Sequence, residues 1–270
     1  MLSLIIPASN EEGWIGPCLD AVAASDPVPG GLEVIVVANG CRDATAAVAR
    51  GFADRLPGLQ VLDLAEGSKP LALTAGDGAA AGELRAWLDA DCVLSPGVLA
   101  ALASALARPG PVYAGATPVV PRARSWVTRT YARFWQRLPF ARSTAPGYGL
   151  YAVNAAGRAR WGDFPRILSD DTFVRLQFAP EERVQVPQTY LWPMAEGFAA
   201  LVRTRRRQDR GVRELAALHP GLMQREGKPR LTLPALTAMA LRDPPGFLTY
   251  AAVALAVRLR PAGDAFTRGR

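Results

Sequence analysis

Two aspartates separated by a single residue, Asp89 and Asp91, follow the apolar run Leu84–Leu88 in this 270-residue chain. Carboxylates this close together repel each other unless a cation joins them. Mg²⁺ is typically held by one or two carboxylates together with substrate phosphates. The pair therefore predicts a metal–diphosphate site, and a solvated acidic turn is the alternative that the same residues allow.

A second acidic pair, Asp170 and Asp171, precedes the helical pattern Thr172–Phe178. Acids at the start of a helix are commonly stabilised by the helix dipole. A carboxylate can also act as a general base when an acceptor hydroxyl lies within hydrogen-bond reach. The pair is therefore either a dipole-stabilised cap or a source of the base.

The segment Pro7–Glu12 leaves one apolar run and enters a helical pattern. Free N–H groups at a helix N-terminus attract anions and polar ligand edges. Asn10 and Glu11 could each bond a nucleobase or a ribose, while Asn10 or Ser9 is placed to cap the helix. Ordinary capping alone is the competing interpretation of these residues.

Two single positions stand out against the composition. Lys69 and Lys228 are the only lysines among 31 basic residues, which indicates a specific need for an ammonium group at Lys69. His219 is the only histidine. A catalytic triad built on histidine is therefore not expected.

The first half of the chain alternates strand and helix patterns. Four apolar runs predict strands: Leu2–Ile6, Glu33–Val37, Gln60–Leu64 and Leu84–Leu88. Helical patterns separate them, among them Ala44–Leu56 and Pro70–Ala81. Strands joined in this way form a mainly parallel sheet, whose ligands lie beyond the carboxyl ends of the strands. Three polar segments fall at those ends, and their convergence is a stronger signal than any one motif: Pro7–Glu11, Ala38–Asp43 and Asp89–Asp91.

The second half is less regular and strongly basic. Residues 1–121 contain 6 Lys and Arg against 13 Asp and Glu, a net charge of −7, and residues 122–270 contain 25 against 11, a net charge of +14. Such asymmetry indicates an anionic partner, with arginine-rich solvated faces as the alternative. No recognised nucleic-acid motif accompanies the charge, so nucleic acid is not expected.

Two further helices are predicted in this half, Ser125–Leu138 and the arginine-rich Phe198–Leu218, and two strands, Gly147–Val153 and Val184–Pro187. Two apolar patches follow, Leu231–Leu241 and Phe247–Val257. Each patch is shorter than the roughly 20 residues of a spanning helix. Both patches could instead lie in a membrane interface, with Arg258 and Arg260 at the headgroups.

The expected location is cytoplasmic, with peripheral attachment to the inner face of the plasma membrane. Three cysteines without CxxC spacing indicate neither a metal cluster nor a disulfide framework, which suits a reducing compartment. Residues Met1–Pro7 have no basic region ahead of the apolar run, so they predict a first strand rather than a signal peptide.

Taken together, the motifs resemble those of family 2 glycosyltransferases over about residues 1–215. The resemblance is carried in order by Leu4–Glu12, Val34–Thr45, Gly67–Leu73, Trp87–Asp91 and Leu168–Asp171. It implies an α/β fold of the GT-A type with a helical, basic C-terminal extension. It also implies inverting, non-processive transfer of a hexose from a nucleotide sugar to a saccharide or lipid-linked acceptor, in exopolysaccharide, glycolipid or cell-envelope glycan synthesis.

The resemblance also implies a role for each matching residue. Pro7, Ala8, Asn10 and Glu11 would line the nucleotide pocket, Asn39 would contact the base or ribose, and Lys69 would lie near the nucleotide. Asp91 would ligate Mg²⁺ or Mn²⁺, and Asp89 would reach the ribose or the metal shell. One of Asp170 and Asp171 would be the base, with Asp171 favoured, and Arg207 would lie on the acceptor or diphosphate side.

Two departures from the family pattern limit the analogy. Ala38-Asn39 stands where acidic residues are usual, which affects contacts to the base or ribose. Where many members carry QxxRW, this chain has Thr204, Arg207 and Gln208 at the three named positions, which argues against a processive synthase. The expected division is a catalytic domain at 1–218, with a nucleotide-sugar half at 1–115 and an acceptor half at 116–218, followed by an extension at 219–270.

Two rival interpretations come from other classes of protein. The sequence Asp89–Val93 also fits the DxDxV motif of haloacid dehalogenase-like phosphatases, but three strand–helix units precede it here. A non-catalytic basic adaptor that binds membranes would explain the charge, yet the chain retains Asn10, Lys69, Asp91 and Asp171 together.

Overall fold

The computed structural model describes residues 1–227 and 231–259. Its first half contains four strands, β1 (Leu2–Ala8), β2 (Leu32–Asn39), β3 (Gln60–Leu64) and β4 (Leu84–Leu88). β1 pairs in parallel with both β2 and β4, and β2 pairs in parallel with β3. The runs of buried Val, Ile and Leu in β1 and β2 suit a parallel sheet that is covered on both faces.

The helices of this half are α1 (Glu12–Ala23), α2 (Thr45–Arg50), α3 (Lys69–Ala79) and α4 (Val98–Leu106). Alternate residues of β1 point to opposite layers: Leu4 and Ile6 join the core under α1, while Ile5 joins the core under α3. The sheet is therefore enclosed between two helical layers, as the α/β pattern predicted.

The second half adds β5 (Val93–Leu94), β6 (Tyr113–Val119), β7 (Leu150–Val153) and β8 (Arg183–Leu191) to the same sheet. The strand order is β3-β2-β1-β4-β7-β6-β8-β5. β7 runs antiparallel to β4 and β6, and β8 runs parallel to β6. The sheet is thus all-parallel in the first half and mixed in the second, and the sequence patterns did not predict β5 or β6.

Several predicted element boundaries are wrong for identifiable reasons. The strand predicted from Gly147 begins at Leu150, because Gly147 and Gly149 have φ of 80° and 67°, which an extended strand cannot contain. β8 continues through Pro187 to Leu191, and its pairing with β6 shifts register around the proline, since Gly115 pairs with Gln185 but Thr117 pairs with Thr189. The helix predicted over Ala44–Leu56 is only the six-residue α2.

The remaining helices are α5 (Trp126–Trp135), α6 (Ala155–Arg158), α7 (Asp170–Leu176), α8 (Phe198–Leu218), α9 (Leu233–Arg242) and α10 (Pro244–Leu259). The two apolar patches are therefore helices α9 and α10. α10 packs against α5 and α8, while α9 contains no buried residue. Among the described residues, no helix combines the length and apolarity needed to cross a bilayer. Arg260 lies outside the described residues.

A methyl group added at Gly76 tests how closely α3 packs on the sheet. Its Cβ would lie 2.5 Å from Ile5 Cγ2 and 3.0 Å from Val37 Cγ2. Because Gly76→Ala must displace α3, we expect urea denaturation to show a loss of about 1–3 kcal/mol in the free energy of unfolding. Gly78→Ala is the matched control, since nothing lies within 4 Å of its Cβ. An equal loss in both variants would contradict this account.

Candidate active site

One cavity of about 570 Å³ opens at the carboxyl ends of β1, β2 and β4. Its walls also include the start of α7 and one face of α8. The predicted convergence of polar segments at this edge of the sheet is present. The cavity is lined by these predicted site residues: Pro7, Asn10, Glu11, Asn39, Lys69, Asp89, Asp91, Asp170, Asp171 and Arg207. Ala8 is the exception, because it is buried in β1.

The loops after β1 and β2 cap each other's helices. Thr45 Oγ1 accepts a hydrogen bond from the Glu11 amide (2.7 Å), and Glu12 Oε2 accepts one from the Ala44 amide (2.8 Å). Asn10, at φ 55°, instead accepts from the Arg42 amide through Oδ1 (2.7 Å). The prediction that Asn10 or Ser9 caps α1 is therefore wrong. The two loops form one connected rim of the cavity.

Asn39 is only 3 % exposed, yet it lines the cavity. Its Nδ2 donates to the carbonyl oxygens of Ala8 (2.9 Å) and Val37 (3.3 Å). Two carbonyl acceptors at the same atom assign that atom as the amide nitrogen. Within the described residues no group donates to Oδ1, so the acceptor end of the amide is left for a ligand.

Lys69 joins the two acidic pairs. It lies at the first residue of α3, and its Nζ is 2.9 Å from Asp89 Oδ1 and 3.2 Å from Asp170 Oδ1. Burial by itself would lower the pKa of Lys69, but the charges of Asp170 and Asp89 outweigh it and raise the pKa. The side chain is therefore a permanent ammonium between the end of β4 and the start of α7.

Asp170 and Asp171 have different surroundings. Asp170 is 5 % exposed and is held on one oxygen by Lys69 and on the other by the Tyr151 hydroxyl (3.1 Å). Asp171 receives one hydrogen bond, from the Thr172 amide (2.6 Å). Burial, with the charge of Asp170, raises the pKa of Asp171 to about 6, against the lowering effect of Lys69. A carboxyl group with that pKa can accept a proton near neutral pH.

The carboxylates of Asp89 and Asp91 form an open donor set rather than a closed metal cage. In residues 1–227 and 231–259, no three Asp, Glu, His or Cys side chains converge to hold an ion. Mg²⁺ and Mn²⁺ accept carboxylate oxygens, and Mg²⁺ usually completes its shell with water and substrate phosphates. The two residues fit such an ion only when a phosphate-bearing ligand is bound.

Helix α8 packs against the two residues that precede the acidic pair Asp170 and Asp171. A Cβ at Gly211 would lie 2.3 Å from Ser169 Oγ, so only glycine permits this close approach. Glu214 Oε2 accepts a hydrogen bond from the Leu168 amide (3.1 Å). The segment before Asp170 is therefore clamped against α8.

The sequence patterns missed Arg205, which also lines the cavity. Its Nε donates to Asp209 (3.1 Å), and its Nη1 donates to the hydroxyl groups of Tyr250 (3.2 Å) and Tyr131 (3.4 Å). Arg207 is exposed by comparison. Side chains two residues apart on a helix point about 200° away from each other, so the helical period of α8 gave no signal that both arginines would line one cavity.

Aromatic side chains form much of the cavity wall, and these also escaped the sequence patterns. They are Trp14, Tyr131, Trp135, Tyr148 and Trp192. Tyr148 stacks on Trp192 with ring centroids 5.2 Å apart. Neighbouring Gly149 must lack a side chain, because its Cβ would lie 2.6 Å from Cys92 Sγ. The aromatic helix α5 was a visible signal for Trp135, but isolated Trp192 had none.

Comparison with known proteins places these features in a family. Residues 3–160 match the family model described as glycosyl transferase family 2. Glycosyltransferase AglE of Haloferax volcanii is 38% identical over 93 residues, which cover 34% of this chain and 30% of that protein. Dodecaprenyl-phosphate galacturonate synthase of Rhizobium johnstonii is 34% identical over 110 residues, which cover 40% of this chain and 32% of that protein. The matched segments thus span about a third of the length of each relative.

Solved structures share the fold. The mannosyltransferase PcManGT from Pyrobaculum calidifontis, in complex with GDP-Man and Mn²⁺, superposes with a TM-score of 0.59 at 21% identity, covering 97% of this chain and 76% of that one. S. aureus TarS 1-349 in complex with UDP-GlcNAc gives a TM-score of 0.57 at 13% identity, and the match covers 96% of this chain and 91% of that one. These likenesses confirm the expected GT-A type fold. Because the family model matches more than half of the sequence, the chain belongs to glycosyl transferase family 2.

Proposed function

We propose that this chain is an inverting glycosyltransferase that moves a sugar from a nucleotide sugar to a hydroxyl group of an acceptor. The observation that carries the proposal is the position of Lys69, which contacts Asp89 at 2.9 Å and Asp170 at 3.2 Å. One ammonium thereby lies between the carboxylates proposed to bind the metal of a metal–diphosphate site and those proposed to face the acceptor hydroxyl. Family membership and the nucleotide sugars bound by PcManGT and TarS support the proposal.

On the donor side, Asp91 would ligate Mg²⁺ or Mn²⁺, and Asp89 would contribute to the metal shell or the ribose. When bound, the ion neutralises charge that develops on the departing diphosphate. The Oδ1 atom of Asn39 would accept a hydrogen bond from an N–H group of the base. The rim residues Pro7, Asn10 and Glu11 would enclose the nucleotide.

On the acceptor side, Asp171 would remove the proton of the acceptor hydroxyl as its oxygen attacks the anomeric carbon. The bond from that carbon to the diphosphate oxygen breaks, and its electron pair leaves with the nucleoside diphosphate. Attack from the face opposite the leaving group inverts the anomeric configuration. Asp170 is occupied on both oxygens, so it would position Lys69 rather than take the proton.

The acceptor is proposed to be lipid-linked, in the synthesis of an envelope glycan, glycolipid or exopolysaccharide. The name of the dodecaprenyl-phosphate galacturonate synthase supports a lipid phosphate. Arg205 and Arg207 would face such a phosphate, because guanidinium groups bind phosphate oxygens in a forked geometry.

Because a lipid-linked acceptor lies in a membrane, the protein is also proposed to attach to the cytoplasmic face of an anionic membrane. On α9, Leu233 and Leu241 are 78% and 77% exposed, and Leu248 and Leu259 of α10 are 65% and 70% exposed. Arg242 and Arg258 flank these leucines. Interfacial helices bind through buried apolar area together with attraction to anionic lipids.

Substitution of the proposed metal ligand tests the donor side. We expect Asp91→Asn to lower turnover by about 10²-fold or more, equivalent to several kcal/mol, because stabilisation of the leaving group is lost. Nucleotide binding, measured by thermal shift, should no longer tighten with Mn²⁺. Asp54→Asn, at an exposed position away from the cavity, is the control. Unchanged turnover in Asp91→Asn would remove the metal assignment.

The pH dependence of the reaction tests the proposed base. Since Asp171 must be deprotonated and its pKa is about 6, kcat/KM should fall as the pH drops through about 6. Asp171→Asn should lower kcat by about 10²- to 10⁴-fold, with donor affinity nearly unchanged.

Asp170→Asn separates the two members of the pair. Because the negative charge of Asp170 raises the pKa of Asp171, its removal should move the acid limb to lower pH in a variant that retains activity. Full loss of kcat in Asp170→Asn, with activity kept in Asp171→Asn, would reverse the assignment.

Flotation with vesicles tests membrane attachment. We expect the full chain to float with vesicles of phosphatidylglycerol and phosphatidylcholine at low salt and to be released at high salt. The double variant Leu241→Asp with Leu248→Asp should bind more weakly, while Leu218→Asp, at an exposed leucine at the end of α8, serves as the matched control. A protein that does not bind these vesicles at low salt would defeat this part of the proposal.

A further inference from the structure

A second cavity, of about 310 Å³, lies beside the active-site cavity. Trp135 and Trp192 line both cavities, and their ring centroids are 5.6 Å apart. All residues that line the second cavity lie between 117 and 192, in the half of the chain proposed to bind the acceptor. A ligand seated against Asp171 could therefore continue past the two tryptophans into this space.

Among the described residues that line the second cavity, Arg142 alone is charged. Its Nε donates to the main-chain oxygen of Gln136 (3.2 Å), which orients the guanidinium plane. Within the described residues, neither of its Nη atoms has a hydrogen-bond or ion-pair partner. The two outer nitrogens thus present a fork that matches a carboxylate or a phosphate.

The other polar groups have hydrogen-bonding capacity left for a ligand. Gln136 donates from Nε2 to the Ala132 carbonyl (3.1 Å), so its Oε1 remains as an acceptor. The Ser143 hydroxyl donates to the Phe140 carbonyl (2.9 Å) and can still accept. Together with the apolar surface of the two tryptophans, these groups suit a sugar ring, which has hydroxyl donors and an apolar face.

Hydrogen bonds hold the part of the cavity wall at Gln185 and Thr117 in place. Gln185 donates from Nε2 to Thr117 Oγ1 (3.0 Å) and accepts at Oε1 from the Ala145 amide (3.1 Å). Ala145 has a φ of 45°, a left-handed conformation that persists only when its surroundings impose it. Such preorganised backbone is typical of binding sites.

We infer that the second cavity binds an acidic sugar residue of the acceptor, adjacent to the sugar that carries the reacting hydroxyl. Its volume lies at the lower end of the range for small-ligand pockets, which suits a single ring. The acidic group is a carboxylate or a phosphate held by the Arg142 fork. This inference rests on the proposed glycosyltransferase function and adds the class of its acceptor.

Binding of small sugars to the full-length protein tests the inference. The catalytic cavity is first saturated with Mn²⁺ and UDP or GDP, and tryptophan fluorescence then follows the titration of methyl glycosides. The panel has gluco-, galacto- and manno-configured members, each as the neutral sugar, the uronic acid and the 6-phosphate. We expect at least one acidic member to bind about 10-fold or more tightly than its neutral counterpart, the effect of a charge-assisted forked hydrogen bond.

Variants of Arg142 identify the residue responsible. Arg142→Ala should abolish the preference for the acidic sugar, and Arg142→Lys should retain only part of it because an ammonium cannot form the fork. Arg108→Ala, at an exposed arginine that lines neither cavity, should keep the full preference. The inference is overturned if no acidic member of the panel is preferred, or if the preference survives in Arg142→Ala.

The same experiment distinguishes a carboxylate from a phosphate as the acidic group. It also separates failure of this inference from failure of the proposed glycosyltransferase function. Preference for the uronic acids identifies a carboxylate, and preference for the 6-phosphates identifies a phosphate. Hydrolysis of the nucleotide sugar is measured on the same preparations, and the control variant Arg108→Ala should match the wild type. Absence of hydrolysis in the wild type would count against the proposed function, while the sugar titrations would still decide the inference.

Discussion

The contact of Lys69 with Asp89 and Asp170 is the interaction on which the site depends. Four carboxylates, those of Asp89, Asp91, Asp170 and Asp171, line one cavity, and without a cation they would repel one another. Lys69 lies 2.9 Å from the first pair and 3.2 Å from the second. Removing it would leave buried charge uncompensated, which is more destabilising than the pair itself is stabilising. The same ammonium fixes the end of β4 relative to the start of α7.

The asymmetry within the second acidic pair follows from this arrangement. Asp170 is held by Lys69 and by Tyr151, whose ring stacks on Trp87 at a centroid distance of 5.1 Å. Asp171 accepts from one amide within the part of the chain that the structure describes, and its raised pKa suits proton transfer. Asp170 is thus suited to positioning Lys69 and Asp171 to accepting a proton, although the two residues are adjacent in the chain.

The C-terminal helices are connected to the cavity through Arg205. Tyr250 of α10 and Tyr131 of α5 both accept from its guanidinium, and their rings stack at a centroid distance of 5.5 Å. Asp243, at the start of α10, accepts from Arg133 (2.6 Å). The division of the chain at residue 218 stays a prediction. Any truncation there would remove a partner that orients an arginine of the cavity.

The sequence alone determined the parallel half of the sheet and the polar segments at its edge. Both follow from local patterns, since short β-branched runs such as Val34–Val37 favour buried strands, and parallel strands bring their carboxyl ends together. Boundaries failed where backbone conformation depends on distant partners, as at Gly149, which must avoid Cys92. Strand β6 and the place of Trp192 in the aromatic wall were invisible because their partners lie far away in the chain. Only the tertiary structure decided which carboxylate is occupied, because Lys69, which forms an ion pair with Asp170, and Tyr151, which donates a hydrogen bond to it, both lie far from Asp170 in the chain.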